Sequence, residues 1–167
     1  MMGATSQATN VDARIFGGEF GATYAMSPRW KLGATLAYAW GQNRSDGRPL
    51  PQIPPLEAKL SAAYDDGIWS AGALWRIVAP QKRYALNEGN VVGKDFGPSA
   101  GFGVFSVNAG YVVNRQVRLS MGVDNLFDQY SETLPPSLNT TSNTPFANYT
   151  PFGTGGRYIY ARATYSF

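Results

Sequence analysis

The chain has 167 residues, of which 44% are hydrophobic and 15% charged, and its formal net charge is +3 at pH 7. It contains neither cysteine nor histidine, which excludes disulfides, thiolate chemistry, zinc fingers, haem ligation by histidine and a Ser-His-Asp triad. No run approaches the ~20 apolar residues of a membrane helix, and no cluster of Lys and Arg points to nucleic acid.

Seven segments alternate between apolar and polar residues, which is the period of a β-strand with one apolar face. In the last segment Ile159, Ala161 and Ala163 alternate with polar neighbours, and the chain ends on an aromatic residue, Phe167. In chain order the predicted strands are 12–26, 29–43, 54–64, 68–79, 102–113, 116–128 and 157–167.

The connections between these strands alternate in length. Short turns are predicted at 27–28, 65–67 and 114–115, whereas the connections at 44–53, 80–101 and 129–156 are much longer. Such alternation indicates an up-and-down sheet with tight turns at one end and long loops at the other. Outer-membrane barrels have this asymmetry, with short periplasmic turns and longer extracellular loops.

The number of predicted strands is odd, but bacterial single-chain barrels have an even number. Two explanations remain open at this point. Either a further strand lies within 84–96 or 139–150, or the sheet is incomplete and has two free edges.

Two arrangements share this alternation: a transmembrane barrel, and a soluble barrel or sandwich with an apolar core. The membrane arrangement is favoured because aromatic residues lie at the ends of the apolar faces, as Trp30 and Trp40 do, while the polar faces carry charges that a dry core would not tolerate. We predict that Arg14 lies on a polar face as well. The other predicted lumen-facing charged residues are Glu19, Lys31, Glu57, Lys59, Arg76, Arg118, Asp124 and Arg162.

The end of the chain resembles the carboxy-terminal signature of TonB-dependent outer-membrane receptors. That family has an Asn-Leu-Phe-Asp box, a Tyr shortly after it, then Gly-Arg and a final aromatic residue. Two further stretches, 51–57 and 87–97, resemble the copper-receptor branch of the family. The residues that match the signature are Asp124, Asn125, Leu126, Phe127, Asp128, Tyr130, Gly156, Arg157 and Phe167.

The resemblance implies an all-β fold, an antiparallel up-and-down transmembrane barrel of which this chain would be the carboxy-terminal part with about 7–8 strands. Receptors of this family close about 22 strands around an amino-terminal plug. We expect residues 1–11 to be a disordered or fragmentary start and 12–167 to be barrel wall. Since no plug or coupling segment is recognised in the sequence, we expect that this chain does not transport by itself.

The implied function is uptake of a metal or metal chelate, with copper as the candidate, across the bacterial outer membrane. The implied partners are outer-membrane lipid, the barrel assembly machinery, the metal or chelate, and the TonB system through the plug; nucleic acid is not a partner. The alternatives are a free-standing small barrel that acts as a passive pore or structural protein, and a soluble barrel that binds an apolar ligand.

No catalytic residue, cofactor or metal site is predicted, and we do not expect an enzyme. Asn125 and Asp128 are interpreted as residues that fix the backbone where strand meets loop, through side-chain bonds to main-chain groups. Met121 falls on an apolar face and is expected to face lipid. The copper branch often has a His after the signature Tyr, but here Thr133 occupies that position, which removes a candidate copper ligand.

Overall fold

The computed structural model describes residues 10–90, 93–95, 97–129 and 156–167. These residues form nine β-strands: β1 Ala13–Ala25, β2 Trp30–Asn43, β3 Glu57–Asp65, β4 Trp69–Val78, β5 Gly89–Asn90, β6 Gly93–Lys94, β7 Phe102–Val112, β8 Val117–Asp124 and β9 Tyr158–Tyr165. Within those residues no helix is long and apolar enough to cross a membrane.

Seven of the strands form one antiparallel sheet in the order β1-β2-β3-β4-β7-β8-β9. The prediction of an antiparallel up-and-down barrel segment is confirmed. Over the described part of the chain, β1 and β9 are the free edges of this sheet, so it is open rather than closed. Among the described residues, the odd strand number therefore goes with an open sheet.

The region 84–96, where an eighth strand was considered, contains only β5 and β6. These two-residue strands pair with each other and not with the seven-stranded sheet. The other candidate, 139–150, lies outside the described residues, as do residues 1–9 of the predicted disordered start.

Two predicted strand boundaries differ from the structure for local reasons. Strand β3 begins at Glu57 rather than at residue 54, because Pro54 and Pro55 have no N–H to donate to a β-ladder. Strand β8 ends at Asp124 rather than at residue 128, because Asn125 and Asp128 have φ angles of 53° and 54° in the left-handed region.

The sheet has two ends of different character. Turns 26–29, 66–68 and 113–116 define its inner end, and the long connections 44–56, 79–101 and 125–157 define its outer end. Within the described residues the buried apolar side chains are Leu50, Val78 and Ala85, all at the outer end. Among the described strand residues, Val78 at the end of β4 is the one buried apolar side chain.

Aromatic side chains form two belts on the apolar face of the sheet. At the inner end Trp30 contacts Tyr64 at a centroid distance of 5.1 Å, and Trp69 contacts Tyr111 at 4.3 Å. At the outer end Trp40 lies ten positions beyond Trp30 on the same face of β2. Ten positions span ~34 Å along a strand, or ~26 Å across a membrane at a tilt of ~40°, which matches the apolar band of an outer-membrane barrel.

Candidate functional site

The strand registers bring the predicted lumen-facing charges onto one face of the sheet. For example, Thr35 pairs with Lys59, which pairs with Arg76 on the next strand. Directly paired residues share a face, so positions of equal parity within each strand lie together. Followed across the six pairings, this polar face carries Glu19, Lys31, Glu57, Lys59, Arg76, Arg118, Asp124 and Arg162.

Three of these charges form a compact cluster near the outer end. Lys59 and Arg76 are direct cross-strand partners, an arrangement that repels by itself. Glu57 offsets the repulsion: its Oε2 lies 2.5 Å from Arg76 Nη2, and its Oε1 lies 3.1 Å from Lys59 Nζ. The Arg76 guanidinium also lies 5.6 Å from the centre of the Phe102 ring. The cluster has one net positive charge.

A second group of charges lines an open groove of about 690 Å³ on the polar face of β7, β8 and β9. Arg118, Asp124 and Arg162 line this groove together with Asn108 and Tyr160. Within the described ranges none of the three charged groups forms an ion pair. The groove is therefore a polar surface with charged groups available to solvent or to a neighbouring segment.

The placement of Arg14 was predicted wrongly. Arg14 pairs with Gln42, so it shares the apolar face with Phe16 and Trp40 rather than the polar face. Its guanidinium carbon lies 5.7 Å from the centre of the Phe16 ring. The period-two geometry of a continuous strand decides the face, whatever the chemistry of the side chain.

Asn125 organises the corner where β8 leaves the sheet. The residue is 3% exposed; its Nδ2 donates to the Gln129 carbonyl at 2.9 Å and its Oδ1 accepts from the Gln129 N–H at 2.8 Å. The N–H of Leu126 donates to the Phe105 carbonyl at 2.7 Å, which ties the corner to β7. The neighbouring ring of Phe127 stacks on Phe105 at a centroid distance of 6.0 Å.

Asp128 joins the two ends of the last long connection. Its Oδ1 accepts a hydrogen bond from the Arg157 N–H at 2.7 Å, so residues 29 positions apart in the chain are held together. A Cβ on Gly156 would come within 3.1 Å of this same oxygen, so glycine leaves the carboxylate room to reach Arg157. Tyr130 lies outside the described residues, and Phe167 contacts Tyr165 edge-on at 5.1 Å. The structural role expected for the signature residues as a set stays a prediction.

A buried carboxylate that sequence reasoning missed ties two outer connections together. Asp95 is 2% exposed and accepts hydrogen bonds from the backbone N–H groups of Gln52, at 3.3 Å, and Ala85, at 2.8 Å. Gln52 is 43 positions away in the chain, so no local pattern marks this residue. The only signal was its position inside the stretch 87–97 that resembles the copper branch.

Two further contacts join the same connections. Gln81 Nε2 donates to the Ile53 carbonyl at 2.9 Å, and Arg48 Nη1 lies 2.6 Å from Glu88 Oε1. Arg48 also donates its backbone N–H to Asp46, which lowers the pKa of that carboxyl below its ordinary value. The connections 44–56 and 79–101 therefore form one packed outer unit rather than two independent loops.

Metal-binding groups are sparse in the described structure. Those residues contain no group of three or more His, Cys, Asp or Glu side chains that could hold a metal ion. Met26 lies in an inner turn, and Met121 lies on the apolar face with 60% of its surface exposed. Met26 is therefore at the end of the sheet opposite the outer unit, and Met121 is on the face opposite the polar face.

Comparison with known proteins agrees with this architecture. Residues 2–126 match the family model of the TonB-dependent receptor-like β-barrel. The solved structure of the copper transporter OprC is 54% identical, with a TM-score of 0.81 over 95% of this chain and 24% of that one. A search of curated protein sequences gave no match.

More distant solved structures share the fold. The ferric yersiniabactin uptake receptor FyuA from Yersinia pestis is 17% identical, with a TM-score of 0.68 over 93% of this chain and 24% of FyuA. The ferripyoverdine receptor of the Pseudomonas aeruginosa outer membrane is 16% identical, with a TM-score of 0.69 over 93% of this chain and 20% of the receptor. The chain thus spans about a quarter or less of the length of these structures. From the matched family model and the similarity to OprC, the chain belongs to the TonB-dependent receptor β-barrels, which lie in the outer membrane of bacteria.

Proposed function

We propose that the chain forms wall and outer loops of a receptor that takes up a metal or metal chelate by energised transport, with copper as the candidate metal. The observation that carries the proposal is the contrast in identity among related structures. The chain is 54% identical to a copper transporter but only 17% and 16% identical to two receptors for ferric chelates.

Within that receptor the polar face would line the lumen. A polar, water-filled or plugged interior is what barrels of this kind place opposite the lipid-facing side. The charges in the β7–β9 groove, Arg118, Asp124 and Arg162, would then contact the plug or the passing substrate. The Glu57 cluster would hold the wall together near the outer mouth.

The chemistry of the chain supports a wall role rather than metal ligation. Soft thiolate and thioether ligands select copper(I), and imidazole suits copper in general. The sequence has no Cys and no His, and of its two described methionines Met26 lies in an inner turn and Met121 on the apolar face. Metal contact would therefore be made by parts of the receptor other than the residues described above.

The partners follow from the family. Energised passage would require the TonB system acting through a plug, and assembly would use the barrel assembly machinery and outer-membrane lipid. The related solved structures are transporters and receptors, not enzymes. We accordingly assign no catalytic role to this chain.

The test compares a strain that produces the protein with a deletion of its gene under copper limitation. Cellular copper and iron are measured by inductively coupled plasma mass spectrometry, with iron as the internal control. We expect copper, and not iron, to fall in the deletion strain and to be restored by the reintroduced gene. Unchanged copper with reduced iron would contradict the copper assignment. Copper uptake that persists after collapse of the proton gradient would contradict energised transport and favour a passive pore.

A further inference from the structure

Two arginines flank a pair of aromatic rings at the outer end of the apolar face. Phe16 on β1 and Trp40 on β2 are direct cross-strand partners, and their rings stack with centroids 4.8 Å apart. The guanidinium of Arg14 lies 5.7 Å from the centre of the Phe16 ring, and that of Arg83 lies 4.8 Å from the centre of the Trp40 ring. We call this row of four side chains the outer rim row.

The outer rim row lies on the face that contacts lipid in a barrel of this family. Arg14 lies two positions beyond Phe16 toward the outer end, about 7 Å further along the strand at ~3.4 Å per residue. The outer aromatic belt marks the edge of the hydrocarbon band, where aromatic rings sit at the level of the head groups. Arg14 is therefore placed at or just above head-group level and is directed away from the lumen.

The positive charge of the row is not neutralised by the surrounding described residues. Neither Arg14 nor Arg83 forms an ion pair there; Asp12, at the same end of β1, is instead near Arg44 at 4.0 Å. Arg83 donates one Nη2 bond to the Gly41 carbonyl at 3.2 Å, and this bond together with the Trp40 ring holds its guanidinium in place. Both arginines are exposed and have further N–H donors available.

We propose that the outer rim row binds the phosphorylated head group of an anionic lipid in the surrounding outer leaflet. Guanidinium groups match phosphate geometry in a bidentate way, and their stacking on rings leaves the donor edges free for such contacts. The exposed part of Phe16, which is 48% of its surface, and the half-buried Trp40 would contact the first part of the acyl chains below the phosphate. The guanidinium donors thus lie at the level of the lipid phosphate, and the aromatic rings lie below them at the level of the first acyl carbons. A phospholipid and a phosphoglycolipid both have a phosphate above acyl chains.

The test uses the protein purified from outer membranes in a mild detergent and titrated with bis-phosphorylated lipid A, with bound lipid counted by native mass spectrometry. The variant R14Q/R83Q removes both charges, and R115Q is the matched control because Arg115 lies in an inner turn. A basic side chain near an anionic surface strengthens binding about fivefold, so the double variant should weaken it roughly thirty-fold. R115Q should bind as the parent protein does, and circular dichroism shows whether each variant retains its β-sheet.

Several outcomes would overturn the proposal. These are unchanged binding by R14Q/R83Q, an equal loss in R115Q, or equal binding of dephosphorylated lipid A. Competition by inorganic phosphate at concentrations equal to those of the lipid would show that the row binds phosphate and not the lipid. If R14Q/R83Q fails to fold, R14K/R83K serves as the second variant. It keeps both charges but not the bidentate geometry, so weaker, salt-sensitive binding is expected, and affinity equal to that of the parent would refute the role of guanidinium geometry.

Discussion

Neighbouring residues in the middle of β4 should respond in opposite ways to the same charged substitution. Ala73 lies on the apolar face, between Ala62 on β3 and Val107 on β7. Leu74 lies on the polar face, between Ser61 and Ser106. We expect Ala73→Arg to destabilise the folded protein strongly and Leu74→Arg to have a small effect, although leucine is the more hydrophobic residue that is lost.

The magnitudes follow from what each new guanidinium meets. On a lipid-facing surface at the membrane midplane an Arg costs about 2–4 kcal/mol. On the polar face the nearest like charge would be Arg76, two positions along the strand, which at ~7 Å in water costs only about 0.6 kcal/mol. Leu74 is already 42% exposed, and the Arg methylenes would cover the same surface. We therefore expect Leu74→Arg to cost no more than about 1 kcal/mol.

The assay is equilibrium unfolding by urea of the protein folded into phospholipid vesicles, followed by tryptophan fluorescence. Ala73→Leu is the control for side-chain size, because it adds volume at the same position without charge. It should change the free energy of unfolding by less than about 1 kcal/mol, since lipid can accommodate an added apolar group.

An equal or larger loss of stability in Leu74→Arg than in Ala73→Arg would refute the assignment of the two faces. Equal losses in Ala73→Leu and Ala73→Arg would show that volume, and not charge in lipid, causes the effect. Either result would also remove the basis for placing the polar face toward the lumen.

Three further predictions concern single contacts. Asn125→Ala should lower the free energy of unfolding by about 3 kcal/mol, because two hydrogen bonds are lost and alanine is strained in the left-handed backbone conformation. Asn125→Gly should cost about 1 kcal/mol less in the same unfolding assay, because glycine adopts that conformation freely. A larger loss in Asn125→Gly than in Asn125→Ala would be inconsistent with backbone strain. Glu57→Gln should cost about 1 kcal/mol and be non-additive with Arg76→Gln in a double-mutant cycle; full additivity would show that the pair is not coupled. Backbone N–H groups, first that of Trp69, hold the pKa of Asp66 in the inner turn below its ordinary value of 3.8. Its stabilisation should therefore be complete above that pH and be lost as pH falls through the lower folded value. Thermal midpoints measured down to about pH 2 should fall further in the parent than in Asp66→Asn, in which the other carboxyl groups with lowered pKa values still titrate.

Much of the fold could be predicted because strand alternation is a local property. Successive Cβ atoms point to opposite faces of any strand, so a period of two in the sequence indicates the strand, its apolar face and its approximate ends. The strand registers bring the charges named by this rule onto one face of the sheet, and their orientation toward the lumen stays a prediction. Arg14 was assigned to the wrong face because its charge was given more weight than its separation of two residues from Phe16, which places both side chains on the same face.

The less predictable part of the candidate site depends on contacts between distant segments. Asp95 is buried because the connections 44–56 and 79–101 pack on each other, and its hydrogen bond to Gln52 spans 43 positions. A carboxylate is seldom buried without specific hydrogen-bond partners, and the residues near Asp95 in the sequence do not indicate which groups those partners are.

The sequence by itself determined the strand pattern, the alternation of short and long connections, and the signature that begins at Asp124, because each depends on neighbours along the chain. Only the tertiary structure decided which charges meet. The register of β3 against β4 places Lys59 opposite Arg76, and Glu57 forms an ion pair with each of them. It also decided that β1 and β9 are the free edges of the described sheet and that two outer connections form one unit. Strand pairing and loop packing depend on contacts between residues far apart in the chain, and the free energy of those contacts is gained only when the sheet is assembled. A single segment of sequence therefore does not determine them.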